Sequence, residues 1–318
     1  MQRDLAQIVR GFLMGGADVV PGVSGGTIAL ILGIYERLVS ALGSIDGTFV
    51  GHLRKGRLKD AVEHADLRFL AFLLMGIGLA VVLLASLMNT LLREHRTPTL
   101  AAFTGMILAS TLLVARQVRT RSALQWTAGC LAALFAFWLT GLQALQSPPE
   151  GKWFVALCGS IAICAMILPG ISGAFLLLIL GQYEHVTGSV KTLASGSFES
   201  EPLMVLVTFG IGAVVGLLSF VRVLQWLLRS AHDTTLAVLT GFMLGSLRKI
   251  WPFQNDLTPD VEKMKLKTYD NVLPSASDSW TWIALGIVIV GFAFVVTLDR
   301  FGSDKGNGLR PTESEVGS

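Results

Sequence analysis

The sequence predicts an all-α polytopic membrane protein made of two inverted-topology repeats, each combining a re-entrant helical hairpin with transmembrane helices. Three observations predict it: an apolar composition, a long motif that occurs twice, and an uneven distribution of positive charge between two equivalent connections. Hydrophobic residues make up 52% of the 318 residues and charged residues 15%, with a mean hydropathy of +0.63. That much apolar surface calls for lipid as solvent. The apolar runs are continuous rather than alternating, so the spans are helices; in hydrocarbon only helices and closed barrels satisfy their own backbone.

The first motif, residues 21–36, reads PGVSGGTIALILGIYE, and the second, residues 169–184, reads PGISGAFLLLILGQYE, 148 residues further on. Pro removes a backbone donor and Gly favours non-helical angles, so each opening breaks a helix inside an apolar segment. Paired broken segments at matching places in two halves of a membrane chain point to a transport site between inverted repeats. The first repeat, 1–145, holds a re-entrant segment at 11–42 and spans at 69–92, 98–116 and 123–145. The second, 146–300, holds a re-entrant segment at 153–187 and spans at 202–229, 234–250 and 280–299, followed by a cytoplasmic tail at 301–318. Most of these spans, with their flanks, reach the roughly 20 residues that cross the hydrocarbon. The duplication continues past the motifs: GIG recurs at 76–78 and 210–212, and TLAAFTGMILAS at 99–110 matches TLAVLTGFMLGS at 235–246.

Charge orients the halves. The connection 46–68 carries Arg54, Lys55, Arg57, Lys59 and Arg68, and the turn with Arg116, Arg119 and Arg121 is also basic; short basic loops stay cytoplasmic. The equivalent connection, 186–202, has Lys191 against Glu199 and Glu201 and is expected outside. Alternation of the spans then leaves Arg248 and Lys249 outside, a mild violation of the rule.

A net charge of +3 without a basic stripe sets nucleic acid aside. Cys130, Cys158 and Cys164 are odd in number and lie in apolar runs, so they read as packing residues, with no disulfide framework and no zinc site. No metal or cofactor is expected, and the oligomeric state is open. The N-terminal stretch runs directly into the first motif and is not read as a cleaved signal.

Candidate binding residues are Pro21, Gly22, Ser24, Gly25, Gly26 and Thr27 in the first motif and Pro169, Gly170, Ser172 and Gly173 in the second. A Gly-rich turn leading into a helix offers amides, a hydroxyl and a positive dipole end, all suited to an anion such as phosphate. The plainer alternative is that Gly and Pro let helices turn and pack. Glu36 and Glu184 each follow a Tyr, Tyr35 and Tyr183, and read either as proton carriers or as anchors at the interface. Asp18 stands before the first motif where the second has Met166; it is either a proton-coupling group or a helix-end residue touching Arg10 or Arg37. Arg222, inside an apolar run, either binds phosphate through its planar fork or snorkels. Thr104 and Thr240, beside Gly105 and Gly241, suit close helix packing.

The doubled motif, PGVSGGT with ILGIYE and PGISGA with ILGQYE, resembles the bacterial polyprenyl-phosphate transporter family over about residues 10–299. The resemblance implies a transporter in the bacterial cytoplasmic membrane that returns undecaprenyl phosphate, the lipid carrier of cell-wall precursors, from the outer to the inner leaflet. It also implies inverted repeats with two re-entrant hairpins, the polyprenyl phosphate lipid as partner, and no enzymatic activity. The alternative is a membrane undecaprenyl-pyrophosphate phosphatase, whose loop reads Pro-Gly-x-Ser-Arg-Ser and is joined by a Glu-rich motif. Here Gly25 stands where that Arg would be, and no intramembrane Glu-x-x-x-Glu pair is present. A phosphatase without a cationic stabiliser lacks the largest contribution to phosphoryl-transfer catalysis.

Overall fold

The computed structural model describes residues 2–19, 24–120, 122–145, 147–197, 199–261, 266–275 and 277–307. The chain opens with α1 (Gln2–Val19), α2 (Gly25–Ile31) and α3 (Tyr35–Gly43), then two short helices, α4 (Gly47–Arg54) and α5 (Leu58–His64). Three longer helices follow: α6 (Leu67–Glu94), α7 (Arg96–Gln117) and α8 (Ala123–Leu139). The second half repeats the order as α9 (Lys152–Ile167), α10 (Gly173–Ile179), α11 (Tyr183–Ala194), α12 (Ser200–Ser230), α13 (His232–Ser246) and α14 (Ser279–Asn307). Between α13 and α14 lies a two-stranded antiparallel hairpin, β1 (Gln254–Asp256) with β2 (Tyr269–Asn271), in which Asn255 faces Asp270.

This is an all-α polytopic membrane protein. Four described helices, α6, α7, α12 and α14, are long and apolar enough to cross a bilayer. Large apolar side chains on their outer faces are exposed, Val82 to 78% of its surface, as lipid contact requires. Two expected spans are shorter than predicted. The 17 residues of α8 and 15 of α13 rise about 25 and 22 Å, less than the roughly 30 Å of hydrocarbon. Residues 247–250 leave the α-helix as a turn, and protein satisfies their backbone: buried Thr104 donates its hydroxyl to the Ile250 carbonyl at 2.9 Å. The connection 46–68 is α4 and α5 rather than a bare loop. Val50, Leu53, Leu58 and Val62 are exposed on them, the pattern of helices lying in the interface. Asp46 caps α4 through the amides of Phe49 and Thr48. The Phe49 amide, with His64 beside it, holds the Asp46 carboxyl below its ordinary range.

The halves pack through small residues. Helix α1 packs on α6 as α9 packs on α12. A Cβ on Gly76 would stand 2.1 Å from the Ile8 carbonyl oxygen, and one on Gly212 would stand 1.9 Å from that of Ala156. These glycines let backbones touch where lipid supplies no hydrophobic drive to bring helices together. Ile8 and Ala156 are separated by the motif spacing of 148, so Gly76 corresponds to Gly212. The expected alignment of GIG on GIG is therefore two residues out of register. The third helices exchange partners: α8 packs on α13, with Gly241 against the Gly129 carbonyl, and α14 packs on α7, with Gly105 against that of Val288.

Helix α7 and its counterpart α13 run antiparallel. Arg96 contacts Gln254 and Thr104 contacts Ile250 at one end, and the Thr120 amide contacts the Asp233 carboxylate at the other. Helix α8 runs parallel to α13, from Gln125 beside Thr234 to Phe137 beside Arg248. Inverted repeats would have this geometry. Single cysteines at Ser44 and Ser195 in a cysteine-free background should then label from opposite faces of sealed vesicles; labelling from one face would overturn the inversion.

Candidate functional site

Each motif forms the tip of a helical hairpin. Helix α2 starts against the end of α1, its Gly25 amide on Asp18, and bends 117° into α3. Helices α9, α10 and α11 have the same order. Gly33 and Gly181, at φ of 65° and 68°, terminate α2 and α10 in the left-handed conformation that glycine adopts freely. Tyr35-Glu36 and Tyr183-Glu184 accordingly open α3 and α11 instead of ending the motif helices. Pro21 and Gly22 lie outside the described residues.

The two tips meet. The Ser24 hydroxyl, 1% exposed, donates to the carbonyls of Leu168 at 3.2 Å and Met166 at 3.4 Å. Thr27, fully buried, accepts from the Gly170 amide at 3.0 Å. Gly170 has φ of 90° and backs onto α13, where an added Cβ would stand 2.9 Å from the Ser246 hydroxyl. Side chains of the first motif thus satisfy backbone groups of the second hairpin, and α13 closes over the joint beside Gly170.

The tips differ in what faces them. At the first, the amides expected to hold an anion are occupied: Gly25 donates to the Asp18 carboxylate at 2.6 Å, Gly26 to the Ser24 hydroxyl at 3.2 Å, and Thr27 to the Ser24 carbonyl at 3.0 Å. Asp18 lies against its own hairpin, while Arg10 bonds Gln7 and Arg37 pairs with Asp66, so neither arginine is its partner. At the second tip Ser172 is half-buried and makes no capping hydrogen bond. Met166 takes the place of Asp18, its Cγ 2.7 Å from where a Cβ on Gly173 would sit.

The remaining candidates lie elsewhere. Glu36 is exposed and meets His232 at 3.0 Å, and Glu184 is exposed on α11. Tyr35 is 2% exposed in the core, its hydroxyl without a hydrogen-bond partner among the described residues; it is not an interface anchor. Arg222 is exposed on α12, with no hydrogen bond or ion pair among the described residues. Thr104 and Thr240 bond backbone carbonyls. Cys158 is buried, whereas Cys130 is exposed beside an apolar groove of about 330 Å³ between α7, α8 and α13.

One basic residue enters the site region unpredicted. The Lys249 ammonium lies 4.5 Å from the centre of the Phe175 ring on α10, three residues beyond Ser172. Its neighbour Arg248 packs on Phe137, donating to that residue's carbonyl at 3.0 Å. The signal in the sequence was the charge-rule violation: both positive residues that the expected alternation leaves outside are held by protein.

Comparison with known proteins agrees with this architecture. Residues 14–268 match the undecaprenyl phosphate translocase-like family. A polyprenyl-phosphate transporter of Vibrio cholerae is 38% identical over 93% of this chain and 96% of its own length. One of Staphylococcus aureus is 30% identical over 94% of this chain and 97% of its own. No solved structure matches the chain. With a match that covers both motifs and three of the four helices long and apolar enough to cross a bilayer, this chain belongs to the undecaprenyl phosphate translocase-like family.

Proposed function

We propose that this protein moves polyprenyl phosphate between the leaflets of the bacterial cytoplasmic membrane, with inverted repeats that expose one central site to each side in turn. The observation that carries the reading is the joining of two broken helices from opposite halves, Ser24 on the Leu168 carbonyl and Thr27 on the Gly170 amide. A lipid carrier needs shelter for its headgroup alone, since the polyprenyl tail remains in hydrocarbon or in a lateral groove such as that between α7, α8 and α13. The antiparallel course of α7 and α13 supports the inversion.

The headgroup site lies at the joined tips. Ser172 offers its hydroxyl to the phosphate, while Ser24 and Thr27 hold the tips together. Asp18 occupies the Gly25 amide that a phosphate oxygen would take in the other half of the cycle, so a proton on Asp18 favours entry of the anion there. A phosphatase is disfavoured on the same geometry. A side chain on Gly25, where a stabilising Arg would sit, would begin 2.6 Å from an Asp18 oxygen.

Replacing Ser172 with Ala should lower polyprenyl phosphate movement in liposomes several-fold without changing the melting temperature; unchanged movement would return this loop to packing. Thr27→Val should instead destabilise the fold by about 1–3 kcal/mol, because it leaves the buried Gly170 amide without an acceptor. Thermal unfolding in detergent checks it.

Asp18→Asn retains an oxygen for the Gly25 amide and removes the ionisable group. Transport by this variant should lose its dependence on pH, measured as flux between about pH 6 and 8. A pH profile like that of the unaltered protein would exclude Asp18 from coupling.

Purified protein in liposomes should release no inorganic phosphate from polyprenyl pyrophosphate while moving the monophosphate. Sustained release that disappears in Asp18→Asn or Ser172→Ala would establish the enzyme instead.

A further inference from the structure

The turn after α13 carries Lys249 inward, and its ammonium reaches the face of Phe175 without a hydrogen bond or ion pair among the described residues. A cation held between membrane helices is costly unless something offsets its charge. An aromatic face offsets only a fraction of that cost.

Arg96 lies close enough for its charge to act on Lys249. Its guanidinium stacks 3.4 Å from the centre of the Tyr269 ring and donates to Gln254 at 2.8 Å, while Nε is buried without an acceptor. The Gln254 amide also donates to the Lys249 carbonyl at 3.2 Å, so one side chain ties the two cationic segments together. Arg96 lines a cavity of about 360 Å³ between the α6–α7 turn and the β-hairpin, together with Arg93 and Lys267. Among its described lining residues Asp256 is the single acid. Lys267 engages it at 2.5 Å and holds its carboxyl below the ordinary range.

The arrangement has no counterpart in the first half. At the spacing of 136 that relates α7 to α13, Leu113 stands for Lys249 and His232 for Arg96, and His232 faces Glu36. Positive charge is therefore gathered beside the second hairpin, on the side where the connection 186–202 leaves α11. A planar fork and a compact ammonium, both short of acceptors, match a phosphate group, which offers several strong acceptor oxygens and at least one negative charge.

We propose that Lys249 and Arg96 form a phosphate-binding station on the outer approach to the second hairpin, with Arg93 and Lys267 at its mouth. A polyprenyl phosphate headgroup is its occupant if the transport reading holds, and passes from there to Ser172. The station accounts for Lys249, one of the two basic residues that break the charge rule.

The test measures binding of farnesyl phosphate, inorganic phosphate and farnesol to the full-length protein in detergent. Lys249→Met should weaken farnesyl phosphate at least about tenfold, the loss expected when one charged hydrogen-bond partner is removed, and leave farnesol unaffected. Arg96→Gln should act in the same direction, and Lys249→Arg should stay within about threefold of the unaltered protein. Equal binding by Lys249→Met and the unaltered protein overturns the station, as does equal weakening by Met and Arg at 249, which would mark a packing role. Inorganic phosphate bound as tightly as farnesyl phosphate, and lost in Lys249→Met, sustains the site and makes free phosphate its occupant. Failure of the unaltered protein to move polyprenyl phosphate in liposomes would sink the transport reading and leave these binding outcomes to decide the station separately.

Discussion

A helix broken inside a membrane must find partners for the backbone groups it exposes, and the rest of this structure depends on how that constraint is met. Each unsatisfied amide or carbonyl at that depth costs several kcal/mol. Here the first broken segment is satisfied within its own hairpin, by Asp18 and Ser24, and its side chains in turn satisfy the second. Ser24 donates to carbonyls at the end of α9, and the Gly170 amide donates to Thr27. The contact sets the relative position of the halves, brings two polar loops to one place in an apolar interior, and makes Ser24 and Thr27 elements of the joint. On the proposed function, a rocking motion of the halves either carries this joint as a unit or exchanges its bonds for bonds to the headgroup.

Around that joint, packing is set by the absence of side chains. Lipid gives helices no hydrophobic reason to associate, so close contact needs backbones that approach through glycine and alanine. Gly76 and Gly212 seat α6 on α1 and α12 on α9, and Gly105 and Gly241 bring α14 and α8 across to the opposite half. The exchange of third helices interlocks the repeats, since neither half has its full set of neighbours alone.

Duplication then provides the background against which differences carry meaning. Two equivalent tips that bound the same ion in the same way would have equivalent surroundings, and these do not. Asp18 fills the first tip where Met166 sits beside the second, and Lys249 approaches the second where Leu113 takes its place in the first. A carboxylate on one side and a cation on the other give the two tips of a duplicated scaffold unlike surroundings for an anion.

The sequence by itself determined the solvent, the helical class, the duplicated order of elements and the two breaks, because these follow from composition, spacing and the backbone chemistry of Pro and Gly. It pointed to the two motif loops, which the fold brings into contact. Tertiary structure alone decided what each residue does there. Ser24 and Ser172 are equivalent in sequence, yet one is buried in the joint and the other is half-buried and makes no capping bond. Arg222 stood out in its apolar run and proved exposed, while Lys249 counted as a violation and proved to pack on Phe175, three residues beyond Ser172. The two-residue shift between the GIG copies and the shortness of α8 and α13 were equally hidden, since neither alters apolar periodicity. Local pattern reports how a segment meets solvent and where it bends; which side chain meets which partner is set when distant segments pack, and that depends on contacts between residues more than a hundred positions apart.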